Sequence, residues 1–148
     1  MMKSQSPIPH KHAGGCHCGN IRVVIELPHA PSETPLRACG CSFCRATGWQ
    51  AVADPNGTFK MWAQDWSGVS RYRFGTGSVE FLACKRCSVY VAAISQTSAG
   101  LKAIANVNSL ADRVLFTAEP ATMNFDGETV EDRLARHAAT WMPAILHE

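Results

Sequence analysis

A chain of 148 residues, 46% hydrophobic and 18% charged, carries enough apolar material for one domain with its own core. A formal charge of +2 with histidine neutral excludes the strong positive field that non-specific nucleic-acid binding requires. The longest apolar runs, such as "VYVAAI" (89–94), are far too short to span a bilayer, so neither nucleic acid nor membrane is expected as a partner.

The opening "MMKSQSPIPHKHAGG" (1–15) is polar and lacks the apolar stretch of a signal peptide. It reads as a flexible arm over residues 1–13, followed by a single domain over 14–148, and it predicts a cytoplasmic protein. "NIRVVIEL" (20–27) alternates Ile21, Val23, Ile25 and Leu27 against more polar neighbours, the pattern of a half-buried strand. "PHAPSETP" (28–35) is a loop by its prolines. "GWQAVADPNGTFKMW" (48–62) predicts two short strands around a turn at Asn56-Gly57. "SRYRF" (70–74) and "VEFLAC" (79–84) predict two more, joined by a Gly75-Thr76-Gly77 turn, and "SVYVAAIS" (88–95) and "LKAIANV" (101–107) follow as strands. Only "GETVEDRLARHAATWM" (127–142) is helical by pattern. Val130, Leu134, Ala138 and Trp141 recur at helical spacing, Asp126 or Thr129 can cap the start, and Pro143 marks the stop. The fold class is therefore mainly β, with many short strands and a C-terminal helix.

Seven cysteines stand out, and an odd count cannot be consumed by intramolecular disulfides. In a reducing compartment, close cysteine pairs are more often metal ligands than staples. They fall in three clusters, "CHC" (16–18), "CGCSFC" (39–44) and "CKRC" (84–87). A C-x-x-C turn lets Cys84 and Cys87 face one ion. Cys16 and Cys18, at the root of a strand, share a face and can supply the second pair. That leaves Cys39, Cys41 and Cys44 with a vacant fourth position, the pattern of a catalytic zinc that receives water or substrate. A thiolate-rich zinc favours a soft fourth ligand such as a substrate thiol. Spacing alone also permits the first and second clusters to share one zinc.

These blocks carry a resemblance. "GGCHCGNIRVVIE", "CGCSFCRATG" and "FLACKRCSVYV" resemble, in order, the three cysteine blocks of the glutathione-dependent formaldehyde-activating enzyme family, which also includes centromere protein V. The tail "MNFDGETVEDRLARHAATW" resembles the end of shorter bacterial members, so the likeness runs over nearly the whole chain from Gly14. The resemblance implies a mainly β, Mss4-like fold, with short antiparallel sheets around zinc. It also implies a structural zinc at Cys16, Cys18, Cys84 and Cys87, a catalytic zinc at Cys39, Cys41 and Cys44, and a carbon–sulfur lyase activity. In that activity glutathione or a similar small thiol adds reversibly to formaldehyde or another small aldehyde.

Glutathione is anionic, and Arg45, Arg71, Arg73 and Arg86 are the arginines considered for meeting it. Arg45 is preferred because it directly follows Cys44. His17 points away if its flanking sulfurs face a metal. His137 falls among helix charges and is expected to be exposed, and His10, His12, His29 and His147 lie near ends or in a loop. Trp49, Trp62, Trp66 and Trp141 read as core or pocket walls, and no general base is identified. The rival functions are a non-catalytic zinc-stabilised binding module and a thiol-based metal or redox sensor.

Overall fold

The structure, a computed structural model, describes residues 9–148. Strand β1 (His10–Gly15) pairs antiparallel with β2 (Ile21–Leu27), in a register that sets His10 against Leu27. The flexible arm expected over residues 1–13 is thus replaced from His10 onward by a strand, and residues 1–8 lie outside the described residues. Its inward residue is not an apolar one but His12, which is buried; its Nδ1–H donates to Asp112 at 2.6 Å and its ring packs edge-on against Phe116. A polar inward residue hides the two-residue period that would have marked the strand.

Four buried side chains of β2, Ile21, Val23, Ile25 and Leu27, face a core continued by Phe59 and Met61 of β5 (Thr58–Ala63). The strands before and after Asn56-Gly57 exist but do not form a hairpin. β5 pairs with β2, whereas β4 (Ala51–Val52) pairs with β3 (Arg37–Cys39) and β9 (Gly100–Asn106). The hairpin β6 (Val69–Tyr72) to β7 (Glu80–Cys84) is as predicted. So is the succession of β7, β8 (Tyr90–Thr97) and β9.

Further elements were not foreseen. "SFCRAT" forms a short helix, α1 (Ser42–Thr47), and a parallel partner for β3 comes from β10 (Ala121–Met123). The second helix, α2 (Val130–Thr140), is capped by Thr129, whose side chain accepts from the Asp132 N–H at 3.1 Å. The chain does not stop there. Residues 142–147 form β11 (Met142–His147), in which Met142 and Pro143 pair with β9 while Ala144 to His147 pair parallel with β5. Pro143 therefore lies inside a central strand that joins the two halves of the sheet. The sheet is mixed, with two parallel pairs in place of the purely antiparallel arrangement expected.

Candidate metal centres

Cys16 and Cys18 follow β1, and Cys84 and Cys87 flank the β7–β8 turn; their four sulfurs lie within 4.8 Å of one another. The turn geometry is specific. Gly15 takes φ +149°, the Ile21 N–H points at the Cys16 Sγ at 3.2 Å, and the Arg86 N–H points at the Cys84 Sγ at 3.3 Å. Ser88 adopts a positive φ of 65°, rare for a residue with a side chain, and this closes the turn through its N–H to the Cys84 carbonyl at 2.9 Å. Sulfur separations are 3.7 Å for Cys16–Cys18 and 3.5 Å for Cys18–Cys84. A tetrahedral ion with Zn–S bonds of about 2.3 Å sets S–S edges of about 3.8 Å, so the four donors fit a metal of that size. The pairing of the first and third clusters, one of two that spacing allowed, is the one the fold makes.

Cys39, Cys41 and Cys44 form a second group within 4.8 Å, and among the described residues no fourth Cys, His, Asp or Glu joins it. Cys39 ends β3. Cys41 is the N-cap of α1, its sulfur accepting from the Cys44 N–H at 3.4 Å, and the Cys41 N–H points back to the Cys39 sulfur at 3.4 Å. Gly48, left-handed at φ 66°, ends the helix after six residues. A helix this short has little intrinsic stability; its cap is itself a candidate metal ligand, which is why periodicity did not reveal it.

Thiols this close compete for protons. The hydrogen bond from Cys44, opposed by burial and helped by the Cys41 N–H and the Arg133 charge, pulls the Cys39 thiol down to about 5. Cys44 is pushed up, first by the same bond and then by burial. In the four-thiol group burial opposes ionisation of Cys87, yet the backbone at Cys18 and Val89 and the neighbouring thiols bring it down to about 6. Crowded incipient thiolates require a cation to become fully ionised together. Both groups have the donor chemistry of a soft divalent metal site.

The three-thiol group opens on a cleft of about 110 Å³. Trp49, Phe81 and Trp141 supply apolar wall, and Arg37, Arg133, Arg136 and His137 line it together with the cysteines. His137 corrects the sequence reading most sharply. It is the most buried residue of α2, stacked on Trp141 with centroids 3.9 Å apart, while Val130 of the supposed apolar stripe is exposed. Its Nδ1 meets the Ser95 hydroxyl at 2.8 Å, and that hydroxyl donates to the Ser78 carbonyl at 3.1 Å. A carbonyl only accepts, so Nδ1 carries the proton and Nε2 the lone pair. Burial first, then the charges of Arg136 and Arg133, lower the ring's pKa to about 3.

Arg136 is held by Glu128 through two 3.0 Å bonds and lies 3.5 Å from the Phe125 ring centroid. Arg45, by contrast, is exposed on the last turn of α1 and does not line the cleft. Arg71 and Arg73 pair with Glu80, Arg71 also with Glu148, and Arg86 pairs with Asp65; none of them lines the cleft. His17 is exposed between its flanking ligands. Trp49 and Trp141 are buried cleft walls, whereas Trp62 is partly exposed and stacked on His147. Arg133, Arg136 and His137, at i, i+3 and i+4, were the missed signal. That spacing puts three basic side chains on one helix face, which reads as solvated only if no site lies opposite.

No family model matches the chain. A Rhodobacter sphaeroides protein of known crystal structure is similar at 26% identity, over 75% of this chain and 99% of that one, with a TM-score of 0.56. Among the described residues no helix is long and apolar enough to cross a membrane.

Proposed function

We propose that the chain is a zinc enzyme of the glutathione-dependent formaldehyde-activating type, with an Mss4-like fold, adding a small thiol reversibly to a small aldehyde. The observation that carries this reading is the three-thiol group, which among the described residues lacks a fourth side-chain donor and faces an arginine-bearing, aromatic-walled cleft. Cys39, Cys41 and Cys44 would hold the catalytic zinc, and Cys16, Cys18, Cys84 and Cys87 the structural one. Zinc bound by three cysteines supplies a Lewis-acid position at which a thiol loses its proton near neutral pH.

The chain's own residues do the rest. Trp49, Phe81 and Trp141 exclude water around the reacting centre, which strengthens the electrostatic interactions there. Arg37 and Arg133 place positive charge where a thiolate enters and where oxygen gains charge. The sulfur forms a bond to the carbonyl carbon, the C=O π pair moves to oxygen, and the proton released from sulfur ends on that oxygen. Atoms and electrons balance without a redox partner. His137 Nε2, neutral and bearing a lone pair, accepts a hydrogen bond from the product hydroxyl.

The test is exchange NMR with labelled formaldehyde, glutathione and the zinc-loaded chain. Interconversion faster than the uncatalysed background is expected. Cys41→Ser should remove the acceleration while leaving the fold and one zinc in place. Full acceleration in Cys41→Ser, or none in the wild type with two zincs bound, would favour a non-catalytic zinc module.

A further inference from the structure

The cations of the cleft are not equally occupied. Arg136 is spent on Glu128 and the Phe125 ring. Arg133 lines the cleft with Cys39; its buried Nε makes no hydrogen bond and has only a long ion pair, 3.5 Å, to Glu128. Arg37 is half-buried, and among the described residues it makes no ion pair and its guanidinium no hydrogen bond. The charge of Asp54 reaches Arg37 without an ion-pair contact, and a half-buried guanidinium with no direct partner leaves strong, directional donors unused. Arg37 is also two residues before Cys39 on β3, and alternate residues of a strand face the same side. An unpaired fork of donors thus sits about 7 Å along the strand from a candidate metal ligand, in the same cleft.

The size of the cleft limits what can use it. An engineered cavity of about 150 Å³ takes a benzene, so the cleft of about 110 Å³, which is open on one side, holds about four to six non-hydrogen atoms around the reacting centre, and a larger reactant extends outward. We propose that Arg37, with Arg133 in the same cleft, is a carboxylate-recognition subsite, and that the cleft takes a short reactant whose carboxylate lies within a few bonds of its sulfur or carbonyl. This rests on the reading above that the cleft receives a small thiol and a small aldehyde, and it requires a carboxylate close to the reacting atom of one of the two.

Titration calorimetry of the zinc-loaded chain, with no aldehyde present, tests it using three thiols of like size: 3-mercaptopropionate, 2-mercaptoethanol and cysteamine. The expected order is mercaptopropionate first, at least tenfold tighter than mercaptoethanol, with cysteamine last. Thiol acidity alone runs the other way, because the ammonium makes cysteamine the most acidic thiol of the three. Arg37→Gln should shrink the mercaptopropionate preference over mercaptoethanol to under threefold, with zinc content unchanged, and Arg37→Lys should restore part of it. A second arm compares glyoxylate with acetaldehyde as partners of mercaptoethanol. An Arg37-dependent preference confined to glyoxylate places the carboxylate on the carbonyl reactant. No charge preference in either arm, or one that survives Arg37→Gln, overturns the subsite even where turnover is observed. A carboxylate preference in binding without turnover keeps the subsite and defeats the enzymatic reading.

Discussion

Replacing His137 with asparagine, and following stability against pH, tests the unexpected burial of a basic side chain. In the folded chain burial and then the charges of Arg136 and Arg133 hold the ring near pKa 3, against 6.5 for a solvated histidine. Between those values the unfolded chain carries a proton that the folded one refuses. The stability associated with the neutral ring is therefore complete above pH 6.5 and is lost as the pH falls toward 3, at about 1.4 kcal/mol per pH unit. From pH 6.5 to 5.0 the loss is about 2 kcal/mol, a sizeable part of the 5–15 kcal/mol that an ordinary domain has. The thiols and other groups titrate as well, so the quantity to measure is the difference between wild type and His137→Asn, both metal-loaded. Asparagine keeps a donor for the Ser95 hydroxyl, which His137 meets at 2.8 Å, but gives up the ring packed on Trp141. It should cost about 2 kcal/mol at pH 7.5, where the histidine is neutral in the folded and the unfolded chain alike. Urea unfolding followed by tryptophan fluorescence at pH 7.5, 6.5, 5.75 and 5.0 should then show a shallower acid decline for the variant, the gap narrowing by about 2 kcal/mol by pH 5.0. Parallel curves would refute the buried, neutral ring.

Cys84→Ser should leave the chain largely unfolded at 25 °C by far-ultraviolet circular dichroism. The four-thiol group ties Cys18 to a residue 66 positions away, and a structural zinc contributes on the order of 10 kcal/mol, comparable to the whole stability of a domain. A folded variant retaining two metals by native mass spectrometry would contradict that assignment. Gly15→Ala should cost about 3 kcal/mol or more in urea, since a Cβ there falls 2.0 Å from the Ile21 carbonyl oxygen on a backbone at φ +149°. A loss below 1 kcal/mol would show that the β1–β2 turn relaxes more freely than its geometry implies.

The ligand sets were legible in the sequence because a thiol's chemistry belongs to the residue and its chelating spacing is local. Cys16-x-Cys18, Cys39-x-Cys41-x-x-Cys44 and Cys84-x-x-Cys87 keep their meaning whatever surrounds them. The strands of β2, β6, β7, β8 and β9 were legible for a related reason, since their inward side chains alternate or run apolar. Where the inward residue is polar, as His12 is in β1 and His137 in α2, the same pattern misleads. Whether a polar group can be buried depends on a partner distant in the chain, Asp112 for one and Ser95 for the other. β11 was hidden because its pairing splits between β9 and β5, and no local signal encodes two partners.

Only the tertiary structure decided which cations face the thiols. Arg45 adjoins Cys44 in sequence yet points to solvent from the last turn of a short helix, whereas Arg37 shares a strand face with Cys39, and Arg133, Arg136 and His137 arrive from a helix nearly a hundred residues later. The sequence by itself determined what the chain can ligate, because ligand identity and spacing are local properties. The fold determined what can approach those ligands, because a cleft is made of walls that meet only when distant strands and helices pack.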